Sequence, residues 1–532
     1  MLYGEESDLS DMEVSKVMRS STAYPLPLRQ SREQVAPLLE LTTPKALLLT
    51  LQWQVIGVIA LMCHIVLIRD GTAACFVLLM AGLLGLHRVN PLAGFIVYLQ
   101  LLLYQNVVVS VFSGSMSSSD YTVVSATSFV AGLVLASAPV LRIIQGGSPF
   151  RSNHRGITRT MRLVLIAIGV ALAYTALGAV VAGPTQAVVG FRNATALLFA
   201  IILGLDIGDR WSYRTVATCF LASIVLGVFL SLIEISDPAW YLSLVHAADF
   251  GNLKNYQSVK AHLFAAENVI DTMTSLPFNS GLLTEIFSGT TYRFGGPNMH
   301  SISYGYVLAI SGLILLSLGR FGLAVPLGIL VFMIGVKGAA ILLITTGLLY
   351  QVWRITANLK FLLACGFAVA AVYIGYGVTS GLAAGDFHVL GFIGGVNGFL
   401  ENPLGHGIGV GGNLSLGTLT ETKWQEFQHT GAANVGLESA VGVLIYQVGI
   451  GGAAMVVAII ALLRAGSFGV AWRKPKLTDL LFIGLCMGLV NGVFQEEAYS
   501  PYAVGLLALF CGVLVANGRR TELTVDPDER PL

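Results

Sequence analysis

The sequence predicts an all-α polytopic membrane protein, with about 14 transmembrane helices and two long loops on one side. Three observations carry that prediction. Hydrophobic residues make up 55% of the 532 residues and charged residues 11%, whereas a soluble globular chain is about a quarter charged. Apolar runs of about 20 residues, the length a bilayer core demands, recur along the chain. Lys and Arg collect in alternate connections, the pattern that sets membrane orientation. The net charge of +1 gives no bulk attraction toward nucleic acid.

Residues 1–45 are polar, with seven Asp/Glu and four Lys/Arg before Lys45. They are expected to form a poorly ordered cytoplasmic tail. No apolar segment precedes residue 46, so no cleaved signal peptide of the usual form is expected. The transmembrane domain is expected over 46–517. Its spans lie near 46–68, 72–86, 91–112, 122–141, 162–182, 186–204, 214–235, 300–318, 321–335, 338–353, 361–378, 436–462, 479–495 and 501–517. Connections near 183–186 and 335–338 are so short that a re-entrant pair there would change the count. A second cytoplasmic tail follows at 518–532.

Placing both termini in the cytoplasm leaves seven of the 30 Lys/Arg outside: Arg69, Arg192, Lys254, Lys260, Arg293, Lys337 and Lys423. Arg142, Arg151, Arg155, Arg159 and Arg162 then share one inner loop. Two long outer loops result, about 236–299 and about 379–435. Loops of that length in a compact protein are usually functional or disordered. Helical stretches such as Asn268 to Ser275 are expected in the first, and the second is glycine-rich. The six cysteines lie in apolar runs with no short-spaced pair, which fits small buried hydrophobes better than disulfides or a zinc site. No metal-site motif, Walker A or GxSxG occurs on the outer side.

Few ionisable residues sit at membrane depth, and each is costly there. Arg192, near the outer end of the sixth span, needs an anion or a water-filled cavity; otherwise it snorkels to the interface. Lys337, in Gly335-Val336-Lys337-Gly338-Ala339, is either an interface anchor or a ligand-binding cation. In Tyr292-Arg293-Phe294-Gly295-Gly296-Pro297-Asn298, the glycines let backbone N–H groups form an oxyanion-binding nest. Arg293 beside them offers a planar fork for phosphate. The plainer alternative is a tight turn with Arg293 in solvent. Residues 401–413 place glycine at every other position, which forbids a regular helix. Within them Asn402 and His406 are candidate contacts, if the loop does more than pack. Glu438, at the mouth of the twelfth span, is a candidate general base or a helix-dipole charge. His429 is the other candidate base.

Three stretches, in order, resemble the O-antigen ligase and polysaccharide polymerase family of bacterial inner-membrane proteins. They are Arg293-Phe294-Gly295-Gly296-Pro297-Asn298, Glu401-Asn402-Pro403-Leu404-Gly405-His406-Gly407-Ile408-Gly409 and Tyr446-Gln447-Val448-Gly449-Ile450-Gly451. Lys337-Gly338-Ala339 is similar to the family's Ser-Arg-Gly-Ala turn, with lysine for arginine. Order and spacing agree over about 186–465. The resemblance implies a GT-C-like glycosyltransferase fold and an inverting, metal-independent transfer without cofactor. A glycan on undecaprenyl pyrophosphate would pass to a sugar hydroxyl at the periplasmic face. Arginines would hold the pyrophosphate and a histidine would activate the acceptor. The family's histidine-asparagine pair falls here on Glu438-Ser439, so the base shifts to Glu438 or His429.

The expectation is therefore a repeat-unit polymerase for exopolysaccharide, capsule or O-antigen in the inner membrane. Arg293, Arg192 and Lys337 would bind pyrophosphate, and Gly295, Gly296, Asn298, Asn402 and His406 would line the substrate loops. The lipid-linked donor and acceptor and the bilayer are its partners, with a chain-length regulator and export machinery as further ones. A ligase using a lipid A-core acceptor, and a flippase of lipid-linked sugars, are the alternatives.

Overall fold

The computed structural model describes residues 39–69, 73–150, 155–255, 274–275, 291–412, 421–466 and 474–524. The expected N-terminal tail as far as residue 38, the end of the C-terminal tail from 525, and most of the first outer loop beyond 255 lie outside the described residues.

The chain is helical. The first half comprises α1 (Thr43–Arg69), α2 (Ala73–Val89), α3 (Pro91–Phe112), α4 (Ser118–Ser125), α5 (Thr127–Ile144), α6 (Arg155–Val181), α7 (Pro184–Gly208), α8 (Tyr213–Ser236), α9 (Pro238–Leu244) and α10 (Ala247–Asn255). A two-residue antiparallel pair follows, β1 (Thr274–Ser275) with β2 (Thr291–Tyr292). Next come α11 (Ser301–Ser317), α12 (Phe321–Met333), α13 (Lys337–Thr356), α14 (Leu359–Ala384), α15 (Phe387–Glu401) and α16 (Glu421–Thr430). The last are α17 (Ala440–Val448), α18 (Gly452–Ala465), α19 (Asp479–Asn491) and α20 (Leu506–Thr524).

Each of the fourteen expected span positions carries helix. Among the described residues, ten helical segments are long and apolar enough to cross a membrane: α1, α3, α4 with α5, α6, α7, α8, α13, α14, α17 with α18, and the segment Glu496–Gly518. The helices at the other four positions, α2, α11, α12 and α19, are apolar but shorter. The protein is a multi-pass helical membrane protein. Two expectations need correction. The end of the Asn268–Ser275 stretch, Thr274–Ser275, is strand rather than helix, and its earlier residues lie outside the described ones. The second outer loop is largely helical, because α14 runs on to Ala384 and α15 follows at once.

Local chemistry sets the boundaries. Asn90 caps α3, accepting from Ala93 N at 3.2 Å, with Pro91 at the first helical position. Ser212 caps α8, accepting from Thr215 N. Gly385 ends α14 at φ 63°, and Asp386 caps α15 immediately after. In the core, α7 lies against α20 so closely that a Cβ on Gly204 would meet Leu509 O at 2.0 Å. Small residues of this kind let membrane helices pack backbone to backbone.

The helix directions bring several ends together. α8 arrives with Glu234, α11 departs just after Asn298, α13 departs from Lys337, α14 arrives before Asp386, and α19 arrives before Gln495.

Candidate functional site

The Gly295–Gly296 turn does form a nest of backbone donors. The anion in it belongs to the protein. Glu234, at the end of α8 and buried to 1% exposure, accepts from Gly295 N through Oε1 at 2.8 Å and from Gly296 N through Oε2 at 2.8 Å. Tyr292 donates its hydroxyl to the same carboxylate at 2.7 Å. The oxyanion nest expected for a ligand is thus filled from inside, which corrects the roles expected of Gly295 and Gly296. Asn298 is buried at 1% exposure, and its backbone oxygen accepts from Asn106 Nδ2 at 2.8 Å. Arg293 is half-buried between Tyr292 and the turn. Its loss of water pushes the guanidinium below its ordinary pKa range.

Lys337 opens α13, and the charges acting on its ammonium are Asp386, attractive, and Arg293, repulsive. The two cations therefore share one region. The residue after Lys337 is gripped from behind. Asn491 donates to Gly338 O at 2.7 Å and to the Tyr306 hydroxyl at 3.1 Å, and Tyr306 donates to Gln495 Oε1 at 2.6 Å. A Cβ on Gly338 would lie 1.9 Å from Gln495 Oε1, so any larger residue at the start of α13 would have to displace the Gln495 side chain.

Asp386 leads from the cations to a histidine that sequence reasoning missed. Its carboxylate accepts from the backbone N–H of His388 at 2.9 Å, starting α15. The His388 ring nitrogen Nδ1 lies 2.9 Å from the carbonyl oxygen of Glu438. It lies 3.7 Å from the Glu438 carboxylate. A carbonyl only accepts, so in the neutral ring Nδ1 carries the proton and Nε2 keeps a free lone pair. Glu438 adopts φ 49°, unusual for a side chain other than glycine. Its carbonyl also accepts from Glu496 N at 3.2 Å, and Ser439 caps α17 while donating to Val493 O at 2.6 Å. The strained position is thus held from both sides.

Arg192 stands elsewhere. It lines a cavity of about 260 Å³ with Gln105, Asn106, Tyr121, Ser303 and Tyr502. The charges that bear on it are the hydroxyls of Tyr121 and Tyr502. Asn106 joins this cavity to the Asn298 turn. A π-helix, Pro501–Gly505, supplies part of the wall; such irregular turns are frequent at functional sites.

The glycine loop is a packing device. Ile408 N donates to Tyr174 O at 2.9 Å, and Gly407 N donates to Gln447 O at 2.9 Å. Asn402 Nδ2 donates to Gly405 O at 2.9 Å. The His406 ring stacks on Tyr446 with centroids 4.1 Å apart, and Nδ1 lies 3.0 Å from Tyr446 O. Asn402 and His406 therefore hold the loop itself. His429 is exposed near the end of α16, and among the described residues no hydrogen bond or ion pair joins its side chain to those of Arg293, Lys337 or Glu438. Among the described residues no group of three or more His, Cys, Asp or Glu is placed to hold a metal ion.

The structure thus gathers Arg293, Lys337 and Glu438 of the expected set, adds Asp386 and His388, and leaves Arg192, Asn402, His406 and His429 outside that group. Sequence signals for the missed residues exist. Gly385-Asp386 is a helix stop followed by a helix start, which points to an ordered helix carrying His388. Glu234 is an acid at the end of an apolar run, a costly placement that calls for a partner. Compared with known proteins, the chain matches no family model, no curated protein and no solved structure.

Proposed function

We propose that the protein is a repeat-unit polymerase, a glycosyltransferase of the O-antigen polymerase and ligase type. It would join undecaprenyl-pyrophosphate-linked oligosaccharides at the periplasmic face of a bacterial inner membrane. One observation carries the reading: two cations, Arg293 and Lys337, share a region with a histidine whose ring is oriented by Glu438. The fold, in this reading, is of the GT-C kind with cytoplasmic termini.

The chemistry follows from those groups. His388 Nε2 takes the proton of an acceptor sugar hydroxyl. The hydroxyl oxygen forms a bond to the anomeric carbon as the bond from that carbon to the pyrophosphate oxygen breaks, inverting the centre. The Glu438 carboxylate stabilises the imidazolium so formed. Arg293 and Lys337 stabilise the charge gathering on the departing pyrophosphate, where half-burial makes each charge count more than in water. The glycine loop, in this reading, is a wall rather than a contact surface.

Purified protein in lipid, given an undecaprenyl pyrophosphate-linked repeat unit, tests this. A ladder of longer lipid-linked chains is expected, formed without added metal. Transfer only after a lipid A-core acceptor is added would make the protein a ligase. An unchanged donor under both conditions would overturn the enzyme reading in favour of a flippase.

A further inference from the structure

We propose that Glu234 is a positioning residue for Arg293, its carboxylate acting as a built-in anion that locks the Tyr292–Gly296 turn in the shape that presents the guanidinium. A buried carboxylate is costly unless hydrogen bonds repay its lost water. Glu234 receives three: from the Tyr292 hydroxyl, from Gly295 N and from Gly296 N. These donors flank Arg293 on both sides in the chain, so one carboxylate pins the residue before it and the two glycines that follow Phe294. The pinning has no slack. Gly296 adopts φ 54°, and a Cβ there would meet Tyr304 at 2.6 Å and the Ser231 hydroxyl at 2.9 Å. Phe294 is buried at 1% exposure and meets Tyr304 edge-on, centroids 6.2 Å apart. Aromatic packing anchors Phe294, while the Glu234 lock holds the Tyr292 side chain before it and the glycine backbone after it. Arg293, the residue between, is left half-buried.

This placement has a chemical consequence. A nest of N–H groups attracts any oxyanion. Left empty, it would compete with Arg293 for phosphate and pull a ligand toward the turn. Filled by Glu234, it leaves the side-chain cations as the anion-binding groups. The catalytic consequence rests on the reading of Arg293 given above; the lock itself does not.

The test separates the two. Arg293→Cys serves as a reporter, labelled in membranes with a membrane-impermeant maleimide, and the chain without that substitution gives the background from native cysteines. Labelling is expected to be slow with Glu234 present and at least fivefold faster in Glu234→Ala. Added formate, a carboxylate small enough for the vacated nest, should return it toward the slow rate. Glu234→Gln, which keeps the shape but sets an amide N–H against a backbone N–H, should also label faster, and Tyr292→Phe should fall between. Equal rates with and without Glu234 would overturn the proposal. So would faster labelling that formate leaves untouched, because general loosening does not respond to an anion. With Arg293 intact, Glu234→Gln should lower chain growth at least tenfold at unchanged membrane content. If the unsubstituted chain shows no chain growth, the functional reading fails while the labelling result still decides the lock.

Discussion

His388 Nδ1 lies 2.9 Å from the carbonyl oxygen of Glu438 and 3.7 Å from its carboxylate. One residue thus fixes the ring's tautomer through its backbone and faces the ring's charge through its side chain. The two contacts are separable by substitution. His388→Ala removes the proposed base and should lower chain growth by about 10²–10⁴-fold, the usual worth of a general base. Glu438→Gln keeps the carbonyl and loses only the charge, so a smaller loss of about tenfold is expected, corresponding to about 1.4 kcal/mol. Quantifying glycan length against time for both variants checks this. An equal loss from both would mean that the carboxylate itself takes the proton. His429→Ala should leave the rate unchanged.

Arg293 and Lys337 repel one another while Asp386 draws on Lys337. Under the proposed function, the pyrophosphate would supply the negative charge that offsets this repulsion. Arg293→Ala should reduce chain growth by about 10²–10³-fold, the scale seen when one transition-state donor is removed. Arg293→Lys should recover part of it, because a point charge replaces a planar fork. Membrane content should be unchanged in both, which a western blot of membranes establishes. Normal polymer from Arg293→Ala would remove Arg293 from the site.

Most spans were legible because a bilayer imposes a crude requirement, length and apolarity, that ten helical segments among the described residues meet by themselves, whereas α2, α11, α12 and α19 fall short in length. The site was legible only in part, because its members meet through tertiary contacts between distant segments. Arg293 and Lys337 stood out as rare outer-side cations. His388 did not, because Gly385-Asp386 marks only the helix that carries it, while its partner is 50 residues away. Glycine spacing shows the same limit. Gly405, Gly407, Gly409 and Gly411 alternate and do form an irregular loop with positive φ. Gly391, Gly394, Gly395 and Gly398 recur at helical spacing, and α15 uses that face to lie against the Ala433–Leu437 backbone and Gly442. Counting glycines blurred the two, and only their period separates them.

Gly407 makes the loop's packing testable. It adopts φ 101°, and a Cβ there would lie 2.6 Å from Gly178 N on α6. Gly407→Ala meets a forbidden backbone region and a backbone clash together, and should cost about 2–4 kcal/mol. Gly85→Ala is the control. It sits within α2 with nothing within 4 Å of the added carbon, so it should be neutral or stabilise by up to about 1 kcal/mol. Thermal unfolding of the two variants in one detergent compares them directly.

Asp206 on α7 is wholly buried, with His87 Nε2 at 2.9 Å and the Arg142 guanidinium also on its carboxylate. The three side chains come from α7, α2 and α5, so one carboxylate ties three helices. Asp206 lies 14 residues along α7 from Arg192, about 21 Å at 1.5 Å per residue. It therefore stands toward the C-terminal end of that helix, just beyond Leu203, which lines the Arg192 cavity. Removing one member of a buried ionic group strands the others, at about 3–5 kcal/mol. Asp206→Ala should accordingly lower the folded amount and the melting temperature, yet leave chain growth per folded molecule unchanged. Replacing both charges, Asp206→Leu with Arg142→Met, strands no ion and should recover much of the stability. Size-exclusion yield and melting temperature, set beside glycan ladders normalised to folded protein, distinguish this from a role in the reaction. A fall in rate per folded molecule would show that this buried ionic group is coupled to the reaction.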